Sequence, residues 1–113
     1  MLSIGHRGAM GHEPENTLRS VAKALTLGAD WIEVDVYNAQ DKLVVIHDDR
    51  LERTTDGTGR VVGQTLDYLR SLDAGKGEKI PFLEEVFAVV DHRAGINVEL
   101  KGPGTAELTA SFL

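Results

Sequence analysis

The sequence contains no cysteine, which removes disulfides, thiolate metal sites and a cysteine nucleophile and leaves the redox compartment open. Any metal must therefore be held by oxygen or imidazole. Basic residues are in the minority: 12 Lys and Arg stand against 18 Asp and Glu, a formal net charge of -6, and they form no cluster. A chain without a basic stripe has little with which to grip a phosphate backbone, so no nucleic-acid partner is expected. Long apolar runs are also missing. No segment approaches the ~18 consecutive apolar residues of a transmembrane helix. The start, Met-Leu-Ser-Ile-Gly-His, shows no basic stretch leading into an apolar one, as a secretory signal would. These absences predict a soluble protein with no transmembrane segment, cytoplasmic by default.

What is present is ordinary globular usage: 42% hydrophobic and 27% charged residues over 113 positions, enough for a single core and too little for two. Residues 1–113 are therefore expected to form one domain. Residues 1–4 are mostly apolar and run into Gly5-His6-Arg7-Gly8, which predicts a short buried strand ending in a polar, glycine-flanked loop. Leu18, Val21, Ala22 and Leu25 fall at helical spacing, with Asn16 or Thr17 as cap and Gly28 as stop. Over residues 31–37 the pattern alternates, with Ile32, Val34 and Val36 on one face and Glu33 and Asp35 on the other, as in a strand.

Residues 43–46 are wholly apolar and predict a buried strand after a turn at 38–42, with His47-Asp48-Asp49 at its C-terminal end. From 51 to 79 glycines recur and only 65–72 has a helical pattern, so this stretch reads as a long decorated loop. Leu83, Val86, Phe87 and Val90 predict a helix after Pro81, and Gly95 breaks it before a strand at 96–100. A last helix is expected over 105–113. Strands alternating with helices imply a parallel α/β sheet, with functional residues at the C-terminal strand ends and in the loops beyond them.

Three strand carboxylates, Glu33, Asp35 and Glu99, share a facing direction, and Asn97 and Lys101 lie on the face of Glu99. Buried acids need a cation or basic partners. An oxygen-only set favours a hard divalent ion, Mg²⁺ or Ca²⁺, with Mn²⁺ also compatible. Taken alone, Glu33-x-Asp35 fits a solvated strand face as well as a site; the apolar second face and Trp31 argue for burial. His6 and His47 end two different strands, where one imidazole can take a proton from a nucleophile while the other gives one to a leaving oxygen. Taken singly, each is also an ordinary loop histidine. Arg7 offers a planar fork for phosphate or carboxylate and Lys101 a point charge, which suggests an anionic substrate; a buried ion-pair network with the same acids is the alternative.

Five segments in order, Gly5-His6-Arg7-Gly8, Pro14-Glu15-Asn16-Thr17, Glu33-Val34-Asp35-Val36, Val45-Ile46-His47-Asp48 and Val98-Glu99-Leu100-Lys101, resemble the signature series of glycerophosphodiester phosphodiesterases. Leu72-Asp73-Ala74-Gly75 with Ile80-Pro81 resembles that family's small insertion, here about residues 51–80. The resemblance implies an α/β fold, the (β/α)8 barrel, of which this chain would hold roughly the first three βα units; a whole barrel takes about 250 residues. It implies Glu33, Asp35 and Glu99 as ligands of Mg²⁺ or Ca²⁺, His6 and His47 as general acid and base, and Arg7 and Lys101 as phosphate contacts. The implied reaction is metal-dependent hydrolysis of a glycerophosphodiester to glycerol 3-phosphate and an alcohol, through a cyclic phosphate.

Glu15 is the next candidate, near His6. Asn16 is expected to cap the helix rather than touch substrate, Asp48 and Asp49 either orient His47 or cap the next turn, and His12 and His92 have no motif support. A partial barrel has open sheet edges, so a homo-oligomer that covers them is expected. The alternatives are a non-catalytic fragment that binds metal or phosphate and self-associates, and a phospholipase D-like hydrolase of lysophospholipids.

Overall fold

The computed structural model describes residues 3–112. Its elements run β1 (Ile4–His6), α1 (Leu18–Thr26), β2 (Trp31–Ala39), β3 (Lys42–Val45), α2 (Leu66–Ser71), α3 (Leu83–Val90), β4 (Gly95–Leu100) and α4 (Thr105–Phe112). β2 is the centre of a four-stranded sheet. Trp31, Ile32 and Glu33 pair with both β1 and β4, both parallel, so those two strands flank opposite edges. Val36 pairs with both β3 and β4, which places β3 on the same edge as β1, further along. Among the described residues no helix is long and apolar enough to cross a membrane.

The expectation of a wholly parallel sheet is corrected at β3, which runs antiparallel to β2 in the register Val36↔Val45 to Ala39↔Lys42. The reason is length. β2 continues to Ala39, leaving only Gln40 and Asp41 to reverse the chain, whereas a parallel return needs a crossover of about a dozen residues. Both turn residues hold φ > 0 (51° and 63°), the tight-turn geometry that matches strand twist. The first strand is also shifted: it spans Ile4–His6, so His6 is its last residue, and the expected residues 1 and 2 lie outside the described range. The strand at 96–100 begins one residue earlier, at Gly95.

The alternation in β2 builds two cores. Ile32, Val34 and Val36 join Val21 and Ala24 of α1, Leu43 and Val45 of β3, and Leu83, Val86 and Val90 of α3 in one buried cluster. Each such side chain contributes about 1.5–3 kcal/mol by leaving water. α1 presents this face because Thr17 caps it: its side chain accepts from Ser20 N–H (3.2 Å) while Ser20 Oγ accepts from Thr17 N–H (3.2 Å).

The second core lies on the other face. Tyr37, Ala39, Val44 and Ile46 pack with Leu51, Val61, Leu69, Leu72, Ala74 and Ile80. Residues 51–79, expected as a decorated loop, thus fold back over the far half of β2 and β3. Their apolar residues are too widely spaced to show a period, yet turns bring them to one place. Thr65 caps the short α2, accepting from Tyr68 N–H (3.1 Å), and Arg50 bridges to Arg60 in a β-pair.

Candidate active site

The insertion covers only part of the sheet's second face. Beyond Tyr37, β2 presents Asp35 and Glu33, and β4 sets Glu99 directly opposite Asp35 in the parallel register. The three carboxylates offer oxygens within 4.8 Å of one another. Glu33 and Asp35 are buried, while Glu99 is 54% exposed on its strand. Burial, with the Asp35 carboxylate beside it, pushes the Glu33 carboxyl above its ordinary value, although Arg7 N–H and His6 pull the other way. Glu99 is held below its ordinary value by Lys101, whose Nζ lies 3.2 Å from Glu99 Oε1.

The loop from β1 to α1 folds against these acids. Arg7 adopts φ 52° and its N–H donates to Glu33 Oε1 (3.1 Å). Its carbonyl accepts from Asn16 N–H (2.8 Å) and from Ser20 Oγ (3.1 Å). Gly8, at φ 77°, follows because a Cβ there would collide with Ser20. Left-handed φ at two non-glycine residues, Arg7 and Asn16 (φ 56°), costs about 1–3 kcal/mol each, and such strain gathers where side-chain placement matters. His6 Nε2 lies 3.7 Å from Glu33 Oε1.

Asn16 is not the helix cap. Thr17 takes that role, and the buried Asn16 donates from Nδ2 to Asp35 Oδ2 (3.1 Å), which also faces Arg7 Nε at 3.7 Å. Three of the buried polar atoms without a hydrogen-bond partner, Asp35 Oδ1, Asn16 Oδ1 and Arg7 Nε, belong to this cluster. Unpaired buried polar atoms are rare and costly.

His47 follows β3. Its Nδ1 is 2.8 Å from Asp48 Oδ1, and Tyr37 OH donates to its carbonyl (3.1 Å). Of the two roles left open for Asp48, orienting His47 is the one observed. Arg53, which sequence reasoning missed, holds Asp48 from Nε (2.8 Å) and Nη2 (3.0 Å), and holds Glu15 from Nη1 and Nη2 (both 2.9 Å). Glu15 in turn accepts from Arg7 Nη1 (3.2 Å). Hydrogen bonds from Arg53 and His47 pull the Asp48 carboxyl far below its ordinary value. Burial alone would raise Glu15, but Arg53 and Arg7 outweigh it and lower it. His12 and His92 lie outside this network. Nothing in the string Arg53-Thr54-Thr55 marks the arginine, because only the folding of the insertion turns it toward Glu15.

Residues 6–110 match the model of the glycerophosphoryl diester phosphodiesterase family. The chain belongs to that family. It is 45% identical over 109 residues to the glycerophosphodiester phosphodiesterase of Caldanaerobacter subterraneus subsp. tengcongensis, covering 88% of this chain and 45% of that protein. Among solved structures it superposes with TM-score 0.90 and 40% identity on a phosphodiesterase of Oleispira antarctica in complex with the product sn-glycerol-3-phosphate, covering 98% of this chain and 49% of that one. The Agrobacterium tumefaciens glycerophosphodiester phosphodiesterase gives TM-score 0.89 at 41% identity, over 97% of this chain and 52% of that one. The chain spans about half the length of the curated relatives it matches, and its α/β sheet corresponds to about half of the family's barrel.

Proposed function

We propose that the chain carries the cation- and phosphate-binding face of a glycerophosphodiester phosphodiesterase and hydrolyses glycerophosphodiesters to glycerol 3-phosphate and an alcohol. The observation that carries this is the convergence of carboxylate oxygens of Glu33, Asp35 and Glu99 within 4.8 Å of one another, in a cluster where Asp35 Oδ1 is buried without a hydrogen-bond partner. A donor set of three carboxylates with no sulfur fits a hard divalent cation, Mg²⁺ or Ca²⁺, with Mn²⁺ next. Glu33, Asp35 and Glu99 would hold it, and when bound it supplies Lewis-acid polarisation of a phosphoryl oxygen and eases deprotonation of a substrate hydroxyl.

The chain's own side chains supply the rest. A carboxylate only accepts, so the 2.8 Å contact with Asp48 fixes the hydrogen of neutral His47 on Nδ1 and leaves Nε2 free for proton exchange. His6, beside Glu33, is the second imidazole. One takes the proton of the glycerol hydroxyl adjacent to the phosphodiester as its oxygen bonds to phosphorus; the other gives a proton to the departing alcohol. Water then opens the cyclic phosphate. Arg7 and Lys101 offset the charge on the phosphate oxygens.

The test is glycerol 3-phosphate release from glycerophosphocholine with and without Mg²⁺ or Ca²⁺, beside a His47→Ala variant. Cation-dependent turnover lost in the variant supports the proposal. Cation binding with no turnover makes the chain a non-catalytic binding module, and hydrolysis of lysophosphatidylcholine alone moves it to the phospholipase D-like class. The proposal extends to assembly: among the described residues β4 pairs only with β2, and we expect a second copy to cover its free edge. A monomer in sedimentation at micromolar concentration would count against that assembly.

A further inference from the structure

We propose that Arg53 is a positioning residue that fastens the β1–α1 loop to the loop after β3 and, through Asp48, sets the ring of His47. Its catalytic consequence rests on the phosphodiesterase function proposed above, whereas the positioning itself does not.

The geometry that points to this is a continuous relay. His47 Nδ1 meets Asp48 Oδ1 at 2.8 Å; Asp48 takes two hydrogen bonds from Arg53; Arg53 gives two more to Glu15; and Glu15 accepts from Arg7, which faces Asp35. Arg53 thus joins residues that arrive from two separate strand ends and reaches 38 positions back along the chain to Glu15. One guanidinium serves two carboxylates at once, using a fork of Nη1 and Nη2 for Glu15 and the Nε/Nη2 edge for Asp48. A lysine ammonium has neither the planar fork nor enough fixed donors for this.

The neighbouring pair Arg50–Glu52 shows what an ordinary ion pair of this loop looks like. It has the same chemistry at 2.9 and 3.2 Å, but its partners are two residues apart and it joins the loop only to itself. With Arg53 in place, Asp48 cannot swing away from His47 without giving up its bonds to the guanidinium. With Arg53 removed, Asp48 would be free to turn to water. Glu15 would lose two of its three arginine hydrogen bonds, and the loop that carries Arg7 would lose its tie to the His47 loop.

The test reads the ring nitrogens of His47 directly, by long-range ¹H–¹⁵N correlation at a pH where the imidazole is neutral. The chain has only 4 histidines, so single-histidine variants assign them. In the unsubstituted chain the proton is expected on Nδ1. Arg53→Met should move the population toward the Nε2–H form, while Arg50→Met leaves it unchanged. In the glycerol 3-phosphate assay Arg53→Met should lower kcat by about 10²-fold, the scale of a misplaced catalytic group, with KM little changed. An unaltered His47 tautomer in folded Arg53→Met overturns the proposal, as does an equal shift in Arg50→Met. If Arg53→Met fails to fold, Arg53→Lys, which keeps the stem and charge but not the fork, must show the same shift or the proposal falls. Absence of turnover in the unsubstituted chain would remove the phosphodiesterase function and leave the tautomer measurement to decide the role of Arg53.

Discussion

Over residues 32–36, β2 has two faces, both buried and opposite in chemistry. Ile32, Val34 and Val36 lie in a dry core between α1, α3 and the sheet; Glu33 and Asp35, on the alternate positions, are buried with them but bring charge and an oxygen with no partner. One face stabilises the fold by leaving water and the other costs stability by doing so. The comparison teaches that stability and chemistry are divided here by side-chain parity, one residue at a time along a single strand.

The largest effect should come from erasing the difference. Val34→Asp puts a carboxylate into the dry face, where nothing can pair with it, and should cost about 3–5 kcal/mol in urea unfolding. Loss of under 1 kcal/mol would mean that the two faces are not the separate environments described. Next is the cation itself. Mg²⁺ or Ca²⁺ at about 100 times its Kd should stabilise the chain by ~2.7 kcal/mol, and Asp35→Asn should abolish this gain. A gain of equal size in the variant would place the binding elsewhere.

Asn16→Ala is a smaller, sharper probe. It removes the hydrogen bond that fixes Asp35 Oδ2 and should weaken cation binding about tenfold by calorimetry. Affinity equal to that of the unsubstituted chain would show that Asp35 needs no such support. The smallest effect is a slope. In the folded chain the Glu33 carboxyl is raised above its ordinary value, so the folded state keeps a proton that the unfolded state has already released. Without cation, the stability this contributes is present below the ordinary glutamate value and lost as pH rises through the raised one. Glu33→Gln should flatten that slope in denaturation curves recorded above the ordinary glutamate value of about 4.3; an unchanged slope would assign it to another group.

Much of the site was legible because strand alternation is a rigid rule. The shared facing of Glu33, Asp35 and Glu99 follows from a two-residue repeat and survives folding. What was not legible depends on the chain's return path. The antiparallel β3 is decided by a two-residue turn whose limits the sequence does not mark, because the apolar alternation of residues 31–37 stops short of the strand's end at Ala39. Asn16 and Thr17 are both good capping residues, and only the left-handed backbone at Asn16 sends its amide inward to Asp35. Arg53 lies in a stretch without periodicity, so its partners exist only once Leu51, Val61 and Leu69 have folded over β2.

Glu99 differs from the other two carboxylates in standing on β4, whose outer edge has no strand partner among the described residues. The backbone that aims it is held from one side only, so whatever pairs with β4 also steadies the third carboxylate. By linkage the two events then share one coupling energy: a strand added at that edge tightens the grip on the cation by some factor, and the cation tightens the grip on the strand by the same factor. Ligand affinity is in that sense a gauge of assembly, measurable without any turnover at all.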